Sequence, residues 1–329
     1  MPVRNEEAEL PILLSALQRQ TGGMPFSLCV YLDNCTDNSN GVIGDFAQRT
    51  GLPVFIGRSD ANDSSNAGRA RGAAMALGLR KVGADRGALL LTTDADSAPE
   101  PDWIVRSASS LAEVEVAAGR IIRRDAAGPS LASRLEDYLD RLYALRRRVD
   151  PVVWELPDTH HFGGGANLAI RASEYISLGG FAPLVAGEDA RLLDDASRAG
   201  LRVRRDPRMV VVTSARRSGR VPGGLAAVLR DLDRGIEPMV GDPVAALWQY
   251  RMQAEARRVF HQSGAATEFG RKIGLSEDHV RGVARDCPNA EAFAMRIVPA
   301  PPGAQQSVPL PEAERRLAAM ETMTVDEAA

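Results

Sequence analysis

Carboxylates close to the ends of apolar runs are the residues of this chain best suited to chemistry. Thr92-Thr93-Asp94-Ala95-Asp96 sets two of them two residues apart, directly after an apolar run at 88–91. From a single turn both can reach one ligand, and oxygen ligands at that spacing suit Mg2+ or Mn2+ bridging a diphosphate. A solvated turn or a helix cap before Pro99 has the same appearance. Gly187-Glu188-Asp189 puts two further acids ahead of a helical pattern at 190–198. One acid there caps the helix, and a second is a candidate general base. Asp33, in Leu32-Asp33-Asn34-Cys35-Thr36-Asp37, ends another apolar run and could accept from a base or a ribose. Asp37 or Thr36 reads more simply as the N-cap of the next helix.

Basic and glycine-rich segments could complement those acids. Asn66-Ala67-Gly68-Arg69-Ala70-Arg71-Gly72 opens a helix, and a helix N-terminus with a nearby guanidinium is an anion site, or else an ordinary surface helix. Thr213-Ser214-Ala215-Arg216-Arg217-Ser218-Gly219-Arg220 suits a loop that closes over a diphosphate, or a solvated basic loop. Gly163-Gly164-Gly165-Ala166-Asn167 permits close backbone approach to a ligand, or makes a tight turn into a strand. His160 and His161 precede it. Adjacent side chains point apart, so they chelate poorly and at most one faces a site.

These residues need a frame. Apolar runs at 28–32, 53–56 and 88–92 read as buried strands, alternating with helical patterns over 10–18, 37–49 and 68–81. That alternation predicts a mainly parallel sheet covered on both faces, with ligands bound beyond the carboxyl ends of the strands. Leu131, Leu135, Tyr138, Leu142 and Leu145 predict one amphipathic helix over 130–148. Strands are expected over 166–171 and 202–213. Residues 1–225 are therefore expected to form the catalytic α/β domain, and 226–298 a helical extension. Pro299, Pro301, Pro302, Pro309 and Pro311 predict an extended linker, and 312–329 a charged helix or frayed tail.

With 329 residues, 44% hydrophobic and 25% charged, the chain has the balance of a globular protein and not of a disordered one. No apolar run approaches the roughly 18 residues of a membrane span. The first residues lack the basic-then-apolar pattern of a secretory leader. A net charge of −3 with interspersed signs argues against a nucleic-acid partner. Cys29, Cys35 and Cys287 are scattered, which suits a reducing cytoplasm.

In order and spacing, Pro2-Val3-Arg4-Asn5-Glu6-Glu7, Leu32-Asp33-Asn34-Cys35-Thr36-Asp37, Asp94-Ala95-Asp96 and Gly187-Glu188-Asp189 resemble the successive motifs of family 2 glycosyltransferases with the GT-A fold. The resemblance covers roughly residues 1–225. It implies a mostly parallel central sheet with helices on both faces, a nucleoside-diphosphate-sugar donor (a UDP-sugar is expected), Mn2+ or Mg2+, and inversion at the anomeric carbon. By that similarity Pro2, Arg4, Glu6 and Asp33 hold the base and ribose, and Arg71 lies near the nucleotide. Asp94 faces the ribose side, Asp96 with Asp94 takes the metal, and Asp189 is the general base. Glu188 is assigned to acceptor binding or helix capping. An acceptor or diphosphate loop is expected from His161, Gly164, Gly165, Asn167, Arg216, Arg217 and Arg220.

Some features depart from the family. The Gln and Trp pattern of processive synthases is missing, as are membrane helices, which favours transfer of a single sugar to a soluble or membrane-surface acceptor. Only Met1 precedes Pro2 where the family has several apolar residues, so an apolar segment upstream is expected. Two rival readings stand beside this one. They are a retaining GT-A enzyme resembling glucosyl-3-phosphoglycerate synthases, and a non-catalytic nucleotide-sugar-binding scaffold. A sugar-phosphate nucleotidyltransferase fits poorly, because residues 1–25 carry neither its glycine-rich loop with Arg nor its later Lys.

Overall fold

The computed structural model describes residues 1–59, 66–83, 87–124, 130–219, 224–262, 264–301 and 307–326. The chain begins with β1 (Pro2–Val3), α1 (Leu10–Gln18), β2 (Leu28–Leu32), α2 (Ser39–Thr50), β3 (Val54–Arg58) and α3 (Ala67–Val82). Next come β4 (Leu89–Thr92), β5 (Ser97–Pro99), α4 (Trp103–Glu113), β6 (Val116–Arg123) and α5 (Leu131–Val149). Then follow β7 (Leu168–Arg171), α6 (Ala172–Ser177), α7 (Glu188–Ala199), β8 (Val203–Thr213) and α8 (Leu225–Asp233). The last elements are β9 (Met239–Gly241), α9 (Pro243–Phe260), α10 (Ala266–Ile273), α11 (Glu277–Arg285), α12 (Ala290–Ile297), β10 (Ser307–Pro309) and α13 (Leu310–Asp326).

Two compact units emerge. The first comprises Met1–Ala127, Phe162–Asp195 and Val203–Val228. In it β1, β2 and β3 pair in parallel, with Val3 opposite Leu32 and Leu28 opposite Val54. Leu28, Val30 and Leu32 point into the core by strand alternation, and α1 buries Leu10, Leu13, Leu14 and Leu17. Small residues let α3 pack closely: Gly68, Ala70 and Ala74 are buried along it.

The second sheet of this unit runs β4-β7-β6-β8-β5 and corrects the expectation of a mostly parallel arrangement. Only β6 and β8 are parallel there; β7 is antiparallel to both β4 and β6, and β5 to β8. Parallel neighbours need a same-direction crossover, whereas β7 enters from the opposite end, out of the turn at Gly164. The helix α4 went unread in the sequence because its buried face, Trp103, Ile104, Ser107, Ser110 and Leu111, includes two serines.

The second unit comprises Gly128–His161, Ala196–Arg202 and Leu229–Ala329. Its α5 starts with a capping box in which Ser130 and Ser133 bond reciprocally. Phe269, Val280 and Phe293 centre one core cluster, and Tyr138, Leu145, Leu310, Ala313 and Leu317 another. Where the prolines predict an extended linker, Ser307–Pro309 pairs antiparallel with Met239–Gly241. The segment beyond is likewise not a frayed tail: Leu310, Ala313 and Leu317 of α13 are fully buried. Their spacing of three and four residues makes one apolar helix face, and its burial outweighs the bias of the flanking prolines. Among the described residues no helix is long and apolar enough to cross a membrane.

Candidate functional site

A cleft of ≈ 430 Å³ opens in the first unit, within the usual range for small-ligand sites. Strand-end segments line it: Pro2 in β1 with Arg4 and Glu6 after it, Asp33 after β2, and Asp94 and Asp96 after β4. Gly164 and Gly165 before β7, Glu188 and Asp189 at the start of α7, and Thr213, Ser214 and Arg216 at the end of β8 complete it, with Arg71 from α3.

The loops after β1 and β2 hold each other. Asn5 and Asn34 both adopt left-handed backbone, at φ 52° and 50°, a conformation that asparagine tolerates. Asn5 Oδ1 accepts from Thr36 N at 2.7 Å, and Ser39 Oγ accepts from Glu6 N at 2.9 Å. Asp37 accepts from Ser39 N at the start of α2 and from Glu7 N, while Glu7 accepts from Asn38 N. The N-cap of α2 is Asn38 and not the expected Asp37 or Thr36, and Asn38 makes no side-chain cap bond; Asp37 instead ties the two loops together, and Asp33 sits buried between strand end and cleft.

Arg71 is the hub of the cleft floor. Its Nε donates to Glu188 Oε1 at 3.0 Å, and its Nη1 to Asp94 Oδ1 at 2.9 Å, to Thr92 Oγ1 at 3.1 Å and to the Gly165 carbonyl at 2.9 Å. Phe181 lies 5.9 Å from the guanidinium carbon. Burial disfavours the charge, but Asp94 and Glu188 outweigh it and hold Arg71 above its ordinary value. A Cβ on Gly165 would come within 2.3 Å of the Arg71 guanidinium carbon. The space left by glycine is therefore filled by a side chain of the protein itself and not by a ligand. In the same turn Asn167 N donates to Gly164 O at 3.0 Å, so the tight-turn reading also holds.

Glu188 and Asp189 have parted roles. Gly187, at φ +79°, supplies a left-handed residue before α7. Glu188 is then 3% exposed and committed to Arg71. Asp189 is half-buried, and its hydrogen bonds come from backbone amides, Gly165 N to Oδ2 at 2.8 Å and Ala190 N to Oδ1 at 2.7 Å. Each carboxylate oxygen has a further lone pair for another donor.

Beyond β8 Arg216 reaches Glu6 with two bonds of 2.6 Å and Asp96 Oδ2 at 3.1 Å. Its charge is strengthened chiefly by the Glu6 hydrogen bonds, against burial, with Asp96 adding. Asp96 is pushed up to about 6, first by burial and then by Asp94, with Arg216 opposing and Glu6 adding. A divalent cation fits this donor set. Asp94 and Asp96 offer hard oxygens, and the negative charge of Asp94 and Glu6, which adds to the effect of burial on Asp96, is what a cation relieves. Among the described residues no three His, Cys, Asp or Glu side chains gather as a cage, so phosphate oxygens would have to complete the shell, as is usual for Mg2+.

Other expected residues stand elsewhere. Asn167 is fully buried as a strut, accepting from Trp103 Nε1 at 2.8 Å and donating to the Arg120 and Met209 carbonyls. His161 belongs to the second unit, where Asp140 accepts its backbone amide and lies 2.6 Å from Nδ1. Arg217 is exposed and donates to the Ala215 carbonyl. Arg220 lies outside the described residues. Thr92, Phe181 and Ser39 were missed. Thr92 stood at a strand end beside the acids and could have been found, whereas nothing in the sequence pointed to Phe181.

A family model described as Glycosyl transferase family 2 matches residues 1–172. No curated protein matches the chain. Among similar solved structures, TarS from S. aureus is 15% identical, covering 89% of this chain and 86% of that one at a TM-score of 0.49. A mannosyltransferase from Pyrobaculum calidifontis, in complex with GDP-Man and Mn2+, is 15% identical over 89% of this chain and 83% of that one, at 0.47. Glucosyl-3-phosphoglycerate synthase from Mycobacterium tuberculosis, in complex with Mn2+, UDP-glucose and phosphoglyceric acid, is 19% identical over 76% and 77%, at 0.44.

Proposed function

This chain belongs to glycosyl transferase family 2 and is a glycosyltransferase; from that premise we propose that it is of the GT-A type and moves one sugar from a nucleoside-diphosphate sugar, of the UDP class, to an acceptor hydroxyl with inversion. The observation that carries the reading is the division of labour at the start of α7. Glu188 is locked onto Arg71, while Asp189 lines the cleft with backbone amides as its partners.

In this reading Asp189 takes the proton from the acceptor hydroxyl as its oxygen attacks the anomeric carbon. The bond from that carbon to the diphosphate oxygen breaks, and the nucleoside diphosphate leaves with the electron pair. Arg71 positions Glu188 and Asp94 through Nε and Nη1 and lies in the cleft lining near the nucleotide. Pro2, Arg4, Glu6 and Asp33 make the wall for base and ribose, and Arg216 meets phosphate charge. Mn2+ or Mg2+, held by Asp96 and Asp94, would supply Lewis-acid stabilisation of the leaving group. Three free thiols, Cys29, Cys35 and Cys287, support a cytoplasmic setting.

The test is a pair of isosteric variants, with nucleoside diphosphate release measured against a panel of alcohol acceptors. Asp189→Asn should keep nucleotide affinity and lose at least about a hundredfold in transfer, the low end for a positioned base. Glu188→Gln should lose less. Transfer by Asp189→Asn at the wild-type rate removes the assignment, and NMR of the product's anomeric configuration decides inversion against retention.

A further inference from the structure

We propose that Arg216 and a divalent cation are alternative partners of Asp96, so that the metal binds more tightly once a diphosphate draws Arg216 away. This rests on the nucleotide-sugar reading above and adds a coupling to it.

The geometry is specific. Arg216 follows β8 on a segment anchored to the acidic turn itself, since Ser214 N donates to the Asp96 carbonyl at 3.1 Å. From there both Nη atoms bond Glu6 at 2.6 Å, and Nη2 stands 3.1 Å from Asp96 Oδ2. Glu6 is 7% exposed, and its backbone is held by Ser39 and by the first turn of α1, where Leu10 N donates to the Glu6 carbonyl at 2.9 Å. The guanidinium is thus held against one carboxylate oxygen of the acidic pair by a partner that is itself fixed. A second positive charge brought to Asp96 meets Arg216 at contact distance in a site partly screened from water, where like charges repel strongly. A diphosphate resolves the conflict, because its oxygens match the planar fork of Arg216 and also complete the shell of the metal. Metal and nucleotide then favour one another through a residue of the chain, with the reciprocity that linkage requires.

Calorimetric titration of MnCl2, with and without UDP, tests this on wild type, Arg216→Gln and Arg216→Lys. Arg216→Gln should bind Mn2+ alone at least about fivefold tighter than wild type, the low end of coupling between two ligands. Its gain in Mn2+ affinity on adding UDP should shrink by a similar factor. Arg216→Lys, which keeps the charge, should stay close to wild type in Mn2+ alone and so separates charge from loss of the loop. UDP binding with unchanged or weaker Mn2+ affinity in Arg216→Gln overturns this inference alone. Failure of wild type to bind UDP at all overturns the donor reading, and this inference with it.

Discussion

Two arginines in one cleft use the same chemical device to different ends. Arg71 comes from the helix α3, is 7% exposed, and bridges Glu188 and Asp94 among fixed backbone and ring partners. Arg216 comes from the segment after β8, its side chain is 26% exposed, and it bridges Glu6 and Asp96. The first is walled in by Gly165, Thr92 and Phe181, so it has one place to be. The second borders open cleft and can exchange partners. A guanidinium between two carboxylates is therefore a fixed strut or a replaceable counter-charge according to what encloses it. The pair itself does not decide.

The sharpest way to break that contrast is Arg71→Met. It leaves Glu188 buried without its cation, and removing one partner of a buried pair costs about 3–5 kcal/mol. Urea unfolding should register that loss, and a wild-type midpoint would mean that Arg71 is no strut.

Asp96 on the other side tests the electrostatics. Its folded carboxyl titrates at about 6 against an ordinary 3.8. The folded state therefore holds this proton more tightly than the unfolded one. The stability contributed by the protonated group is present below 3.8 and is lost as the pH rises through about 6. Asp96→Asn removes that dependence. In metal-free buffer the variant's stability relative to wild type should climb between acid and neutral pH by on the order of 3 kcal/mol. An offset between the two unfolding curves that does not change with pH would contradict this.

The smallest effect belongs to Arg216→Gln. Arg216 is the more exposed of the two arginines, and a Gln amide can still donate to the buried Glu6 carboxylate, so the loss of stability should be smaller than in Arg71→Met while the metal binding changes. A destabilisation as large as that of Arg71→Met would erase the distinction between the two arginines.

Much of this was legible beforehand. Residues 10–18 and 28–32 form the expected helix and strand, because each carries its own period and its own buried face. The acids at 33, 94, 96, 188 and 189 all line the cleft, because they stand after strand ends or in the first turn of a helix. Asn167 misled: the resemblance puts it in an acceptor or diphosphate loop, yet three carbonyl and indole partners from α4, β6 and β8 hold it at zero exposure. Arg71 was found as a cation, but not as one whose Nε and Nη1 already bond Glu188, Asp94, Thr92 and the Gly165 carbonyl.

What the sequence determined by itself is what a window of about ten to twenty residues can encode: helices, strands, the order of motifs and the residue types at each strand end. Tertiary structure alone decided which charges meet. Arg71 finds Glu188 117 positions along the chain, and Arg216 finds Glu6 210 positions away. Such pairs depend on how β7 enters its sheet and where β8 ends, and only the folded backbone sets those distances. The same folding turned Glu188 inward and left Asp189 on the cleft, because adjacent residues at a helix start point in different directions and only one of them lies over Arg71.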